Sequence, residues 1–82
     1  MDRPVSFKSL RRILRVYEVY EDSSRGKGSH TYFYKQIGNG TVGLPIPTDK
    51  DPPLICYVKQ VRRKFKLTPA DGVTDADFYS HA

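Results

Sequence analysis

The run Arg25-Gly26-Lys27-Gly28-Ser29-His30 is the one stretch of this 82-residue chain where several chemically useful groups stand together. Its two glycines let the backbone turn tightly and bring N–H groups close to an anion such as a phosphate. Arg25 and Lys27 add positive charge beside those donors, and Ser29 can donate or accept a hydrogen bond. Apart from His81 near the C-terminal end, His30 is the only histidine, and an imidazole can take or give a proton near neutral pH. Cleavage at an RNA phosphate needs such parts. A proton must leave the 2′-hydroxyl or reach the departing 5′-oxygen, and positive charge must sit where negative charge develops. A plainer reading fits the same residues: a packing histidine at the head of a strand, after an ordinary hairpin connection. The glycine spacing matches neither the Walker nor the Rossmann pattern, which argues against nucleotide binding of those kinds.

A chain this short makes one small domain, residues 1–82, with chemistry on a shallow surface rather than in a deep cofactor pocket. Its charge is uneven. Residues 1–66 hold all 14 Lys and Arg and six of the nine acidic residues, a net of about +8. Residues 67–82 carry three aspartates and no Lys or Arg. A basic body suits a polyanionic partner, though basic charge also serves solubility alone. One cysteine, Cys56, excludes an internal disulfide, and no Cys/His spacing suits zinc. Neither a signal-peptide run nor a membrane-spanning stretch is visible, so a reducing cytoplasm is the expected setting. Cys56 lies in an apolar stretch and reads as a small core residue.

The elements that must position the run follow from periodicity. Ser6 is suited to cap a helix. Phe7, Leu10, Leu14 and Tyr17 recur at helical spacing with Ile13 on the flank, leaving Lys8, Arg11, Arg12 and Arg15 outside. Val19-Tyr20 predicts a short strand and His30 to Lys35 a second one. After a Gly38-Asn39-Gly40 turn, Val42, Leu44 and Ile46 alternate along a third. Pro45 lacks an N–H, which puts that strand at the sheet edge. Pro52 or Pro53 opens a second helix, with Leu54, Tyr57, Val58, Val61 and Phe65 as its apolar stripe. Lys59, Arg62, Arg63, Lys64 and Lys66 lie mostly off that stripe. Thr68 to Gly72 reads as a turn, and Thr74 caps a short last turn that packs Phe78 or Tyr79 back on the body. Residues 68–82 are thus an acidic extension docked on the domain.

The predicted fold is α+β, a two-layer sandwich of order α-β-β-β-α: a three-stranded antiparallel sheet with two helices on one face. Double-stranded-RNA-binding domains share that order, although a fold does not decide a function. Tyr32 and Tyr34 have the strand parity of His30, opposite to Phe33. They are available for base stacking, with core packing favoured for at least one of them.

Gly28-Ser29-His30 at the head of the second strand resembles the signature of the HicA toxins of HicA–HicB toxin–antitoxin modules. The resemblance runs through nearly the whole chain. An amphipathic helix (Leu10 to Tyr17) leads to a strand, the signature and the apolar Tyr32-Phe33-Tyr34; then come an edge strand ending Leu44-Pro45-Ile46-Pro47 and a closing helix (Leu54 to Phe65). It implies a double-stranded-RNA-binding-like fold and an endoribonuclease toxin that cleaves mRNA with no metal and no cofactor. It also implies His30 as catalytic acid or base and a tightly bound HicB-like antitoxin covering it. Arg25, Lys27, Gly28 and Ser29 would then bind the RNA phosphate. One histidine cannot serve both proton transfers at once, and Lys27, Tyr32 or a water are candidates for the second. Three features depart from the family pattern: Glu18 stands where many relatives have glycine, the loop before the signature is extended, and the tail is acidic. Two other functions fit the residues. One is a non-catalytic RNA-binding module of the same fold. The other is a basic protein whose only ligand is an acidic partner.

Overall fold

Ser6 caps the first helix, its hydroxyl accepting from the Ser9 backbone N–H at 3.1 Å. Such a cap is worth about 1 kcal/mol. The helix, α1, runs Phe7–Val16 and buries Phe7, Leu10, Ile13 and Leu14, as the spacing predicts. Three strands follow, β1 (Tyr20–Asp22), β2 (His30–Ile37) and β3 (Gly40–Pro47), then helix α2 (Ile55–Lys64) and a short helix α3 (Asp75–Tyr79). The computed structural model describes residues 2–22, 24, 25, 28 and 30–82. The sheet is antiparallel in the order β1-β2-β3, so β2 is the central strand. This is the expected α+β sandwich.

A two-residue turn sets the register of the sheet. Gly38 takes φ 60° at the first central position of the β2–β3 hairpin, where a type II′ turn demands glycine. Ile37 pairs with Gly40, and the ladder continues to His30 opposite Pro47. With Ile37 and Gly40 closing the turn, alternate residues of β3 bond to β2, and Thr41, Gly43, Pro45 and Pro47 turn their backbone outward. Both prolines of β3 therefore fall where no ladder donor is lost, and they also deny the free edge two N–H groups.

The two sheet faces have opposite fates. Phe33, at 1% exposure, and Ile46, at 0%, pack with Leu10, Ile13 and Leu14 of α1 and with Val58, Val61 and Phe65 beneath α2. Val42 and Leu44 pack against this core from the same face of β3. The opposite face carries Tyr20, His30, Tyr32, Tyr34 and Gln36, and none of these belongs to the core cluster. The expectation that Tyr32 or Tyr34 packs in the core is corrected here: side chains alternate across a strand, and both helices lie on the Phe33 side.

Residues 68–82 dock on the helices, and the means is a buried charge. Arg62 of α2 is 4% exposed. Its guanidinium donates to the Asp2 and Asp75 carboxylates at 2.8 and 2.7 Å, and to the Leu67 and Val73 carbonyls at 2.8 and 3.3 Å. Phe78 lies 4.6 Å from it in a cation–π contact. The expectation that Arg62 sits off the apolar stripe is therefore wrong. Counting four residues on from Val58 and three back from Phe65 places it on the inner face. Thr74 caps α3 as expected, accepting from the Asp77 N–H at 3.0 Å, and both Phe78 and Tyr79 are buried.

Three further expectations fail at the start of α2. Neither Pro52 nor Pro53 opens the helix, which begins at Ile55 after the cap. Cys56 is exposed rather than in the core, and Leu54 is 50% exposed rather than on the stripe. Leu54 is the N-cap, with φ −61° and ψ 146°, so its side chain leaves the helical row before the row begins. Cys56, two residues before buried Val58, points to the far side of the helix.

Candidate functional site

His30 is the first residue of β2 and is exposed. Its strand parity sends the side chain to the open face, and its pairing with Pro47 sets it beside the end of β3. The chain leaving β3 crosses to α2 through residues 48–54. That loop is tied down: the Asp51 carboxylate accepts from the Phe7 N–H at 3.0 Å, at the positive N-terminal end of α1. Between the loop, the first turn of α2 and the end of the sheet is a groove of about 300 Å³. His30, Asp49, Lys50 and Tyr57 bring polar groups to it, and Pro47, Pro53 and Leu54 supply apolar walls.

Among the described residues no hydrogen bond holds the His30 imidazole and no ion pair engages Lys50. Both are free to meet a ligand. A groove with an unpartnered imidazole, an ammonium, a carboxylate and a phenol can accept an anion and move a proton. Among the described residues no group of three or more His, Cys, Asp or Glu could hold a metal ion. No helix among them is long and apolar enough to cross a membrane.

The loop before His30 is only partly in view. Lys27 and Ser29, expected to bind phosphate, lie outside the described residues. Gly28 is exposed at φ 60°, a left-handed conformation that favours glycine. Asp22, at the end of β1, folds the loop back through its carboxylate. That group accepts from the Ser24 hydroxyl at 2.6 Å and the Ser24 N–H at 3.0 Å. These bonds, the hydroxyl first, hold the Asp22 carboxyl below the usual aspartate range, with Arg25 nearby assisting. The Arg25 guanidinium lies over the Tyr32 ring at 4.8 Å from its centroid. Arg25 is thus stationed on the open sheet face beyond the residues that line the His30 groove.

Tyrosine rings make up the rest of that face. Tyr20 and Tyr34 are direct partners across β1 and β2, with ring centroids 6.1 Å apart. Tyr32 lies across Gly43 of β3, where an added Cβ would overlap its phenol. At the β1 edge, Arg15 of α1 reaches over Tyr20 at 5.5 Å.

Sequence reasoning missed Asp49, Lys50 and Tyr57. Their nearness to His30 follows from the hairpin register and the course of the 48–54 loop. The register could be counted from a two-residue Gly38-Asn39 turn, but Gly38-Asn39-Gly40 leaves the turn length open by one residue. Tyr57 was assigned to the apolar stripe and is in fact half-buried, packing on the core while also lining the groove. Set against protein-family models, curated proteins and solved structures, the chain matches none of them.

Proposed function

We propose that this protein is a HicA-like toxin, a cytoplasmic endoribonuclease that cleaves mRNA without a metal and is neutralised by a HicB-like antitoxin. The observation that carries the reading is the situation of His30: exposed, without a hydrogen-bond partner among the described residues, and in a groove with Lys50 and Tyr57. The Gly28-Ser29-His30 signature at the head of the central strand, within the order α-β-β-β-α, supports it.

In this mechanism RNA lies with one phosphate in the groove. His30 takes the proton of the adjacent 2′-hydroxyl, or gives one to the 5′-oxygen. The 2′-oxygen bonds to phosphorus as the P–O5′ bond breaks, leaving a 2′,3′-cyclic phosphate and a free 5′-hydroxyl. For the second proton transfer Tyr57 and Lys50, which share the groove, join Lys27 as candidates; Tyr32 does not line the groove. Lys50 also faces the charge that builds on the phosphate oxygens. The exposed basic side of α1, with Arg11, Arg12 and Arg15, suits an acidic antitoxin surface.

A second reading, a non-catalytic RNA-binding module, draws on the tyrosine-covered face alone. Inducible expression separates the two. The wild-type protein should arrest growth and fragment mRNA, and His30→Ala should do neither while accumulating as a folded protein. Arrest without fragmentation, or equal fragmentation by both forms, would refute the His30 mechanism.

A further inference from the structure

The three tyrosines of the open sheet face have no role in the mechanism, yet they form a continuous band. Tyr20 and Tyr34 touch across β1 and β2, and the Tyr32 ring carries the band over Gly43 onto β3. We infer that this face is a base-stacking site for single-stranded RNA, holding nucleotides next to the phosphate at His30.

Four observations carry the inference. First, the rings are on the outer face, with Tyr20 39% exposed and neither Tyr32 nor Tyr34 in the core. Hydrophobic packing therefore does not account for three aromatic residues there. Second, Gly43 leaves the space that the Tyr32 side chain occupies over β3, so the aromatic surface extends across all three strands. Third, the charge is complementary. Arg25 and Arg15 hold their guanidinium groups over the Tyr32 and Tyr20 rings, and among the described residues neither donates to a protein acceptor. A guanidinium held over a ring keeps its N–H groups available for phosphate oxygens. The one carboxylate on that face, Asp22, is occupied by Ser24. Fourth, the band is continuous with the groove, because His30 has the same strand parity as Tyr32 and Tyr34.

A duplex cannot use such a face, since its bases are already stacked on one another. An unpaired strand can. Three strands spaced about 4.8 Å apart give a band about 10 Å wide, room for roughly two nucleotides. Stacking on a tyrosine tolerates any base, so the face would add affinity for unpaired RNA with little sequence preference.

This inference rests on the RNA-directed reading above but not on cleavage, and the test keeps the two apart. Binding is measured in the His30→Ala background, with a short single-stranded RNA carrying 2-aminopurine and with a duplex of equal length. Tyr34→Ala and Tyr20→Ala should each weaken single-strand binding by about 10-fold or more and abolish the stacking-induced fluorescence change. Tyr34→Phe, which keeps the ring, should bind within about 2-fold of its parent, and the duplex should compete poorly. Unchanged binding by both alanine variants, or tighter binding of the duplex, would overturn the inference and leave the ribonuclease reading standing. Tyrosine-dependent binding with no cleavage by the wild-type protein would instead remove the ribonuclease reading and keep this one. A failure to bind either RNA at low salt would overturn both.

Discussion

Arg62 and Arg25 are the same residue type in two opposite situations. Arg62 is 4% exposed, with two carboxylates and two carbonyls around it, and both aromatic rings of α3 lie against it. Arg25 is exposed; its guanidinium lies over the Tyr32 ring with the Asp22 carboxylate nearby, and among the described residues it donates to no protein acceptor. The first environment leaves nothing for a ligand to satisfy. The second leaves almost every donor unused. The helical side of this molecule spends its polar groups on holding residues 2 and 68–82 to the body, while the sheet side and the groove keep theirs available. Net charge alone would count both arginines as surface for RNA.

The largest effect that would test this division is on stability. Arg62→Met should destabilise the fold by roughly 3 kcal/mol, because Asp2 and Asp75 lose the guanidinium they share. The low end of the usual 3–5 kcal/mol range applies, since the Asp75 side chain is 35% exposed and partly solvated. Urea denaturation reads it, and Arg25→Met should change the midpoint hardly at all. Equal midpoints for the two variants would erase the contrast.

Gly43→Ala comes next, at roughly 1–2 kcal/mol, because the new methyl must push the Tyr32 ring off the sheet. The same variant should weaken RNA binding, which Arg62→Met does not do in the fraction that stays folded.

Alkaline pH probes the docked tail. Burial, with the Asp2 carboxylate beside it, raises the Tyr79 hydroxyl above the ordinary tyrosine value of 10.0; burial and Asp77 do the same for Tyr17. A raised folded-state value means their contribution to stability is fully present below pH 10 and is lost as pH climbs through the folded value. Denaturation midpoints from these groups should hold from pH 7 to 9 and fall above 10, and Tyr79→Phe should fall less steeply. An equal fall in Tyr79→Phe would remove that hydroxyl from the account.

The smallest effect belongs to Glu18, which joins α1 to β1 at φ 63°. Glycine has no side-chain penalty in that left-handed conformation, so Glu18→Gly should stabilise by about 0.5 kcal/mol after its extra unfolded-state entropy is counted. A thermal midpoint that drops instead would mean the Glu18 side chain contributes more than its backbone costs.

The framework of the fold was legible because each element carries a local signal. Ser6 and Thr74 mark helix starts, apolar residues recur at the helical period, and Gly38-Asn39 marks the hairpin. Long-range placement was less legible. Arg62 sits in the inner row of α2 by simple helical counting, but its charge disguised it, since only the positions of Asp2 and Asp75 make burial tolerable. Leu54-Ile55-Cys56 is an apolar run without a period, so where the helix begins decides which residue is buried, and none of the three is. His30 could be picked out by type and setting. Its groove partners could not, because Lys50 and Tyr57 reach it through a loop whose course depends on Asp51 bonding to the start of α1.

The most direct test of the central claim is single-turnover cleavage of an unstructured RNA in the presence of a metal chelator, by purified wild-type protein and by His30→Ala. Wild-type protein should cleave and leave cyclic phosphate ends, and the variant should be slower by about 10²- to 10⁴-fold, with unchanged urea stability. Equal rates in the two proteins, or no cleavage by a wild-type protein that binds the RNA, would contradict it.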